Sequence, residues 1–245
     1  MEKKNLLTGL LLLIIFISCK KSDSFTLIPI NDYAPFTIGK YITYQLDSLI
    51  FANNVMPNDR VISYQVKQLV ADLLTDNGGR KGFLITRFIR KTSSDNWVTD
   101  NSFSYFNTGN KLEFTENNLT YIKLAAPISM GNTWKGNSYI DTYSASSTLQ
   151  YLDDWNYTYD SIGAPLTLGN LALPATLKVK ERNDTLGIPS NSNYYSEINF
   201  SVSYYGKGIG LVKHQFIHQE YQPPAAGRSS YKLGYGVTLT MIDYN

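Results

Sequence analysis

Residues 61–91 read VISYQVKQLVADLLTDNGGRKGFLITRFIRK, and whether this stretch is a helix or a hairpin decides the fold class. Its first part is ambiguous, because Ile62, Val66, Leu69, Val70 and Leu73 also trace one face of a helix. The continuation arbitrates. TDNGGR at 75–80 is a cluster of turn residues containing Asn-Gly, and beyond it Phe83, Ile85, Arg87 and Ile89 alternate at strand period. Two such runs flanking Asn-Gly mark a β-hairpin.

The same alternation recurs on both sides of the hairpin. Upstream, Ile42, Tyr44 and Leu46 alternate with Thr43, Gln45 and Asp47. Downstream, Trp97 begins an expected strand that ends near Phe103, Tyr105 and Phe106, and NTGNK at 107–111 turns the chain into LEFTE. Leu177 and Val179 alternate with Lys178 and Lys180 up to a turn expected at Asn183-Asp184. Ile198, Phe200, Val202 and Tyr204 share one strand face, and Gly206, Gly208 and Gly210 permit a bulge or tight turn before the next strand. Gly163, Pro165, Gly169 and Pro174 are expected to break their region into short loops. The final alternation, Tyr231 to Met241, implies a last strand paired within the sheet. Some ten or more antiparallel strands without a long helix must close or pack to hide their edges. The expected class is therefore all-β, an antiparallel β sandwich or an incomplete, half-open barrel.

Composition agrees with that class. Nineteen tyrosines, eleven phenylalanines and three tryptophans suit pleated, half-buried surfaces. A net charge of +2 is no electrostatic footprint for nucleic acid, so none is expected as a partner.

The N-terminus carries a separate message. Glu2, Lys3 and Lys4 precede an uncharged stretch from Asn5 to Ser18, the pattern of a secretory signal and too short for a comfortable membrane-spanning helix. It ends at Phe16-Ile17-Ser18-Cys19, which resembles a bacterial lipobox, with Phe16 where leucine is usual. That resemblance implies cleavage before Cys19 and a diacylglycerol on the only cysteine, an anchor that rules out a disulfide. Residues 1–18 are then the signal peptide, 19–30 a lipidated tether containing the solvated KKSDS, and 31–245 a single β domain. Lys20 directly after the cysteine favours the outer membrane, on the periplasmic face or the cell surface.

One phrase is written twice, APFTIGKYITY at 34–44 and APISMGNTWKG at 126–136. Both give Ala-Pro-x-(Thr/Ser)-(Ile/Met)-Gly, followed shortly by an aromatic, Tyr41 or Trp134, where a strand starts. Chance recurrence of a turn and a duplication remain alternatives; duplication divides the domain into halves 31–122 and 123–245. YIKLAAPISMGNTWKG at 121–136 with YYGKGIGLVKHQF at 204–216 resembles an uncharacterised group of Bacteroidota lipoproteins, for which no activity is established. More distantly the chain is similar to the periplasmic lipoprotein carriers, which implies an open half-barrel around an apolar cavity.

Chemistry-bearing residues are sparse. His214 and His218 share a strand face with Phe216 and Glu220, a weak seed for a metal site; the alternative is a polar outer face. No nucleophile elbow accompanies either histidine, and the acidic pair Asp153-Asp154 reads as a turn, since neighbours on a strand point to opposite faces. No phosphate loop occurs, and no cofactor or catalytic residue is implied. What remains is recognition by aromatic side chains: Trp97, Trp155, Tyr157 and Tyr159 are the candidate contacts, able to stack on sugar rings or line an apolar pocket. Trp155, in a polar context, is the one expected to be exposed, whereas Trp134 reads as core. The expected function is a non-catalytic binding or accessory module for a glycan, lipid or envelope protein. The alternative is a structural or assembly lipoprotein with a packed core and no small-molecule ligand.

Overall fold

The structure, a computed structural model, describes residues 27–53, 56, 58–189 and 191–245. The signal peptide, Cys19 and most of the tether lie outside these residues.

The chain forms β1 (Tyr41–Ile50), β2 (Arg60–Thr75), β3 (Lys81–Arg90), β4 (Val98–Asn107), β5 (Lys111–Glu116), β6 (Leu119–Ala125), β7 (Thr133–Lys135), β8 (Asn156–Leu168), β9 (Leu171–Gly187), β10 (Ser196–Gly206), β11 (Gly210–Gln222) and β12 (Tyr231–Tyr244). All twelve belong to one antiparallel sheet, ordered β6-β5-β4-β3-β2-β1-β12-β11-β10-β9-β8-β7, which curls into a nearly closed barrel. The all-β expectation and its incomplete-barrel form hold. Two short 3-10 turns, Ile30–Asp32 and Gln150–Leu152, are the helical elements among the described residues. No helix there is long and apolar enough to cross a membrane, a statement that bears on helices alone.

The opening stretch is the β2–β3 hairpin, with Thr75 opposite Lys81 and a bulge between Val70 and Asp72. Its loop is longer than a two-residue Asn-Gly turn. The Asp76 carboxylate accepts from the backbone N–H of Gly78 at 2.9 Å and of Arg80 at 2.8 Å, while Gly79 takes φ +79°. A short polar side chain that mimics a backbone turn, followed by glycine in the left-handed region, is what reverses the chain here. Between β5 and β6 the reversal is a two-residue turn, with Asn117 and Asn118 at φ 52° and 64°.

Two regions expected to be broken are continuous. β8 runs through Gly163 and Pro165, and β9 through Pro174 and through Asn183-Asp184, which pair with Phe200 and Asn199 of β10. The β8–β9 ladder accommodates its glycine and prolines with register shifts between Tyr159 and Ser161, Ile162 and Ala164, and Ala164 and Leu166. Bulges place a residue without a ladder partner at each irregularity, so a strand can carry breakers without ending.

The sheet is two meanders, β1–β6 and β7–β12, joined where β1 pairs with β12 from Ile42↔Tyr244 to Ile50↔Tyr235. The repeated phrase precedes the first strand of each: Gly39 at φ 87° leads into β1, and Gly131 at φ 76° leads into β7. The half boundary expected at 122/123 falls inside β6; the meanders divide after Ala125. On the far side, β6 and β7 meet without a ladder. Ile122 N–H donates to Gly136 O at 2.8 Å, and Trp134 Nε1 donates to Ile122 O at 2.8 Å. The Tyr159 hydroxyl donates to Ala125 O at 2.7 Å and accepts from Ala125 N–H at 2.9 Å. Side chains thus satisfy edge groups that a strand partner would otherwise take. Gly136 is required at this seam, since a Cβ there would lie 2.4 Å from the Tyr157 ring.

The core lies within the barrel. One cluster joins Ile30, Tyr33 and Ala34 of the N-terminal segment to Leu124, Tyr157 and Leu177, so the segment before β1 packs into the interior. Outward positions carry Gln45, Asp47, Gln65, Lys67, Lys178 and Lys180, none of them fully buried.

Candidate functional site

The barrel interior is not filled. A cavity of about 290 Å³ is lined from strands of both meanders and from the segment that carries Tyr151, Leu152 and Trp155. Strand alternation positions its walls: β4 contributes Phe103 and Tyr105, β10 contributes Ser201, Ser203 and Tyr205, and β12 contributes Tyr235, Val237 and Leu239.

Much of the lining is aromatic. Phe103 and Tyr105 each pack against Phe114, with ring centroids 5.2 and 5.0 Å away. Across the lumen Phe216 packs against Tyr235 at 5.0 Å and Trp155 at 6.0 Å. Tyr151 stacks on His218 at 3.9 Å and approaches Phe216 at 6.5 Å, so the 3-10 turn Gln150–Leu152 caps this side of the cavity.

The polar part of the lining is centred on Glu181 of β9, whose side chain is 1% exposed. Ser201 Oγ donates to one carboxylate oxygen at 2.5 Å and Ser203 Oγ to the other at 2.7 Å. Lys123 Nζ stands 3.5 Å from the second oxygen and over the Tyr121 ring at 4.9 Å. Burial pushes the Glu181 carboxyl up, but Lys123, His214 and the two serine hydroxyls outweigh it and hold the group below its ordinary value. His214 Nδ1 is 2.9 Å from Ser203 Oγ. Because that hydroxyl gives its proton to the carboxylate, His214 donates to it through Nδ1–H. Burial pushes the imidazole down to about 4, so it is neutral at pH 7. Arg87 of β3, also in the wall, pairs with Asp100 at 2.6 Å and Glu116 at 3.1 Å.

The aromatic residues singled out in the sequence do not form one site. Trp155 is buried, 2% exposed, with Nε1 donating to Tyr151 O at 2.8 Å, so its expected exposure is wrong: the polar residues around it form the cap beneath which it packs. Trp155 and Tyr157 do line the cavity. The Tyr157 hydroxyl is committed to Asn137 Oδ1 at 3.0 Å, and that of Tyr159 to the seam. Trp97 lies apart in a shallow outer hollow, with Arg90 Cζ 4.2 Å and Lys67 Nζ 5.0 Å from its ring.

The two histidines also separate. His218 Nδ1 meets Asn199 Oδ1 at 2.8 Å and its Nε2 is 3.4 Å from Glu220, whereas His214 belongs to the Glu181 cluster. Among the described residues no three His, Cys, Asp or Glu side chains gather as a metal site would require. The face bearing His214 and Phe216 turns inward, not outward. Asp153 and Asp154 do form a turn, with Asp154 at φ 56° and paired to Lys135.

Sequence reading missed Glu181, Lys123, Ser201 and Ser203. Their one signal was alternation: Glu181 continues the Leu177, Val179 face, where an acidic residue in an inward register asks for partners. Comparison with protein-family models finds no match to the chain, and no curated protein matches it either.

Proposed function

We propose that this is a lipid-anchored envelope protein that binds a small molecule reversibly in its barrel lumen and does no chemistry on it. The observation that carries the reading is the cavity of about 290 Å³, lined by aromatic rings and by a hydrogen-bonded polar cluster. That size lies at the lower end of the ~300–1,000 Å³ typical of ligand sites, and a few convergent polar groups within an apolar lining are their usual chemistry.

Ser203, His214 and Glu181 are the residue types of a hydrolytic triad, yet their order argues for binding. The serine proton goes to the carboxylate, so the imidazole is not placed to take it from the hydroxyl. The anchor rests on the lipobox resemblance at Cys19, and the outer-membrane location on Lys20.

Two measurements test the reading. Cys19→Ser should abolish acyl labelling and release the protein from membranes; undiminished labelling overturns the anchor. A thermal-shift panel of neutral saccharides, lysophospholipids and fatty acids on the full chain should raise the melting temperature with at least one class. No shift from any of them replaces ligand binding with the structural, packed-core role.

A further inference from the structure

The lumen presents hydrogen-bonding groups that the protein itself does not use. Among the described residues, the hydroxyls of Tyr105 and Tyr205 and the side-chain amide of Gln68 have no protein partner. They are not sealed into the wall either, since the fully enclosed polar atoms without partners are Arg182 Nε and Ser196 Oγ. All three residues line the central cavity, and all three also line a smaller hollow of about 60 Å³ under the N-terminal segment. Lys123 adds spare N–H groups, with a single long contact to Glu181 at 3.5 Å.

The charges of the wall, by contrast, are balanced in place. Arg87 is held by Asp100 and Glu116, and Lys123 by Glu181. An anion entering the lumen would meet Glu116 and Glu181 as well as the cations, and a cation would meet the reverse. Neither would recover the hydration it gives up.

A hydrocarbon chain fails for a different reason. Packed against Tyr105, Tyr205 and Gln68 it would leave each polar group dry and unpaired, which is about 1–3 kcal/mol per group. A saccharide carries both chemistries: the C–H face of a ring lies on an aromatic side chain, and its rim hydroxyls both donate and accept. Phe216, Trp155 and Tyr235 offer the rings, and Gln68, Tyr105 and Tyr205 offer the partners.

Resting on the lumen-binding reading above, we infer that the ligand is a neutral saccharide of one or two rings, stacked on the Phe216 wall and hydrogen-bonded by Gln68, Tyr105 and Tyr205. The test titrates the full chain, in a detergent without a sugar headgroup, with cellobiose, N,N′-diacetylchitobiose, glucuronate and oleate, followed by calorimetry and tryptophan fluorescence. At least one neutral disaccharide should bind, with glucuronate and oleate at least tenfold weaker. Tyr205→Phe and Gln68→Leu, each removing hydrogen-bonding atoms with little change of shape, should weaken disaccharide binding about tenfold apiece, as one lost hydrogen bond implies. Melting curves confirm that the variants fold. The fluorescence change should vanish in Trp155→Phe, which keeps the readout if Gln68→Leu does not fold. Tight oleate or glucuronate binding without disaccharide binding overturns the ligand class and leaves lumen binding standing. Disaccharide binding unaffected by both polar variants, or unaffected fluorescence in Trp155→Phe, overturns the site. Binding of none of the four overturns the saccharide inference, and the lumen reading falls with it only if the broader panel is also silent.

Discussion

The two six-stranded meanders start from the same phrase and close one barrel, both with mixed linings, yet they share the buried polar side chains unequally. β1–β6 turns inward Phe83, Ile85, Phe103, Tyr105 and Phe114, which pack as an aromatic cluster. β7–β12 lines the lumen with Tyr157, Tyr205, Phe216 and Tyr235 and in addition buries Glu181, Ser201, Ser203, Asn199 and His218. The difference teaches where the cavity comes from. Aromatic rings can collapse onto one another, but a buried carboxylate must keep its partners at hydrogen-bonding distance, and the space beside the Glu181 cluster remains.

The strongest way to break this contrast is to remove the carboxylate. Glu181→Ala leaves the partly buried Lys123, 15% exposed, without its counter-charge and two buried serine hydroxyls without an acceptor, so it should lower urea-unfolding stability at pH 7 by about 3 kcal/mol. The acidic residue on the opposite wall is the control. Glu116, paired with Arg87 and 23% exposed in its side chain, should cost under about 1 kcal/mol on change to Gln. Equal losses would mean that both walls rest on ion pairs and that the meanders are not energetically distinct.

This contrast also decides what was legible in the sequence. In the first meander apolar alternation and inward direction mostly coincide, Gln68 and Arg87 excepted, and so the 61–91 hairpin, the turn at 107–111 and the β1 pattern were readable. In β10 they part. Ile198, Phe200, Val202 and Tyr204 make the conspicuous face, but Ser201, Ser203 and Tyr205 are the residues that line the lumen. A sheet curled on itself covers parts of its outer face as well, so apolar content does not name the inside. Pro165 and Pro174 misled for a related reason, because bulges that depend on the neighbouring strand have no local signature. Trp155 was placed wrongly since its burial comes from a cap containing polar residues, which hydropathy reads as solvent. The Glu181 cluster joins β6, β9, β10 and β11, and only the pairing register brings those positions together.

The seam between the meanders gives the next effect. Tyr159 of β8 supplies both the donor and the acceptor that Ala125 of β6 would otherwise find on a neighbouring strand. Tyr159→Phe removes both bonds while keeping the ring, and should cost about 2–3 kcal/mol. Hydrogen exchange locates the damage: the Ala125 and Ile122 amides should lose protection before those of the β1–β12 ladder. Equal loss across both junctions would show that the seam is no weaker than the ladder.

Acid should act mainly on the second meander, which holds His214, His218 and Glu181. The folded-state value of His214 is pushed down to about 4 from 6.5, so below pH 6.5 the unfolded chain takes a proton that the folded one refuses. The unfolded state then binds more protons, and stability falls as pH drops from about 6.5 towards 4. Burial also lowers His218, and Glu181 is held low in the fold; both act in the same direction. From pH 7 to pH 5 the His214 share is about 2 kcal/mol. His214→Gln should flatten the stability–pH curve by that amount between these two values, and an unchanged slope would mean that the imidazole titrates freely in the folded protein.

The smallest effect belongs to the outer wall of the first meander. Trp97 precedes β4 and holds Arg90 4.2 Å and Lys67 5.0 Å from its ring, an arrangement of the kind worth about 0.5–1 kcal/mol at an exposed site. Trp97→Phe keeps a ring for both cations and should cost less than that. Because Trp97 lies outside the lumen, its removal should also leave any ligand-induced fluorescence change in place while lowering the background emission. Loss of the ligand signal in Trp97→Phe, with Trp155→Phe unaffected, would move recognition from the lumen to the outer hollow. The polar inner wall would then be only the means by which the second meander folds.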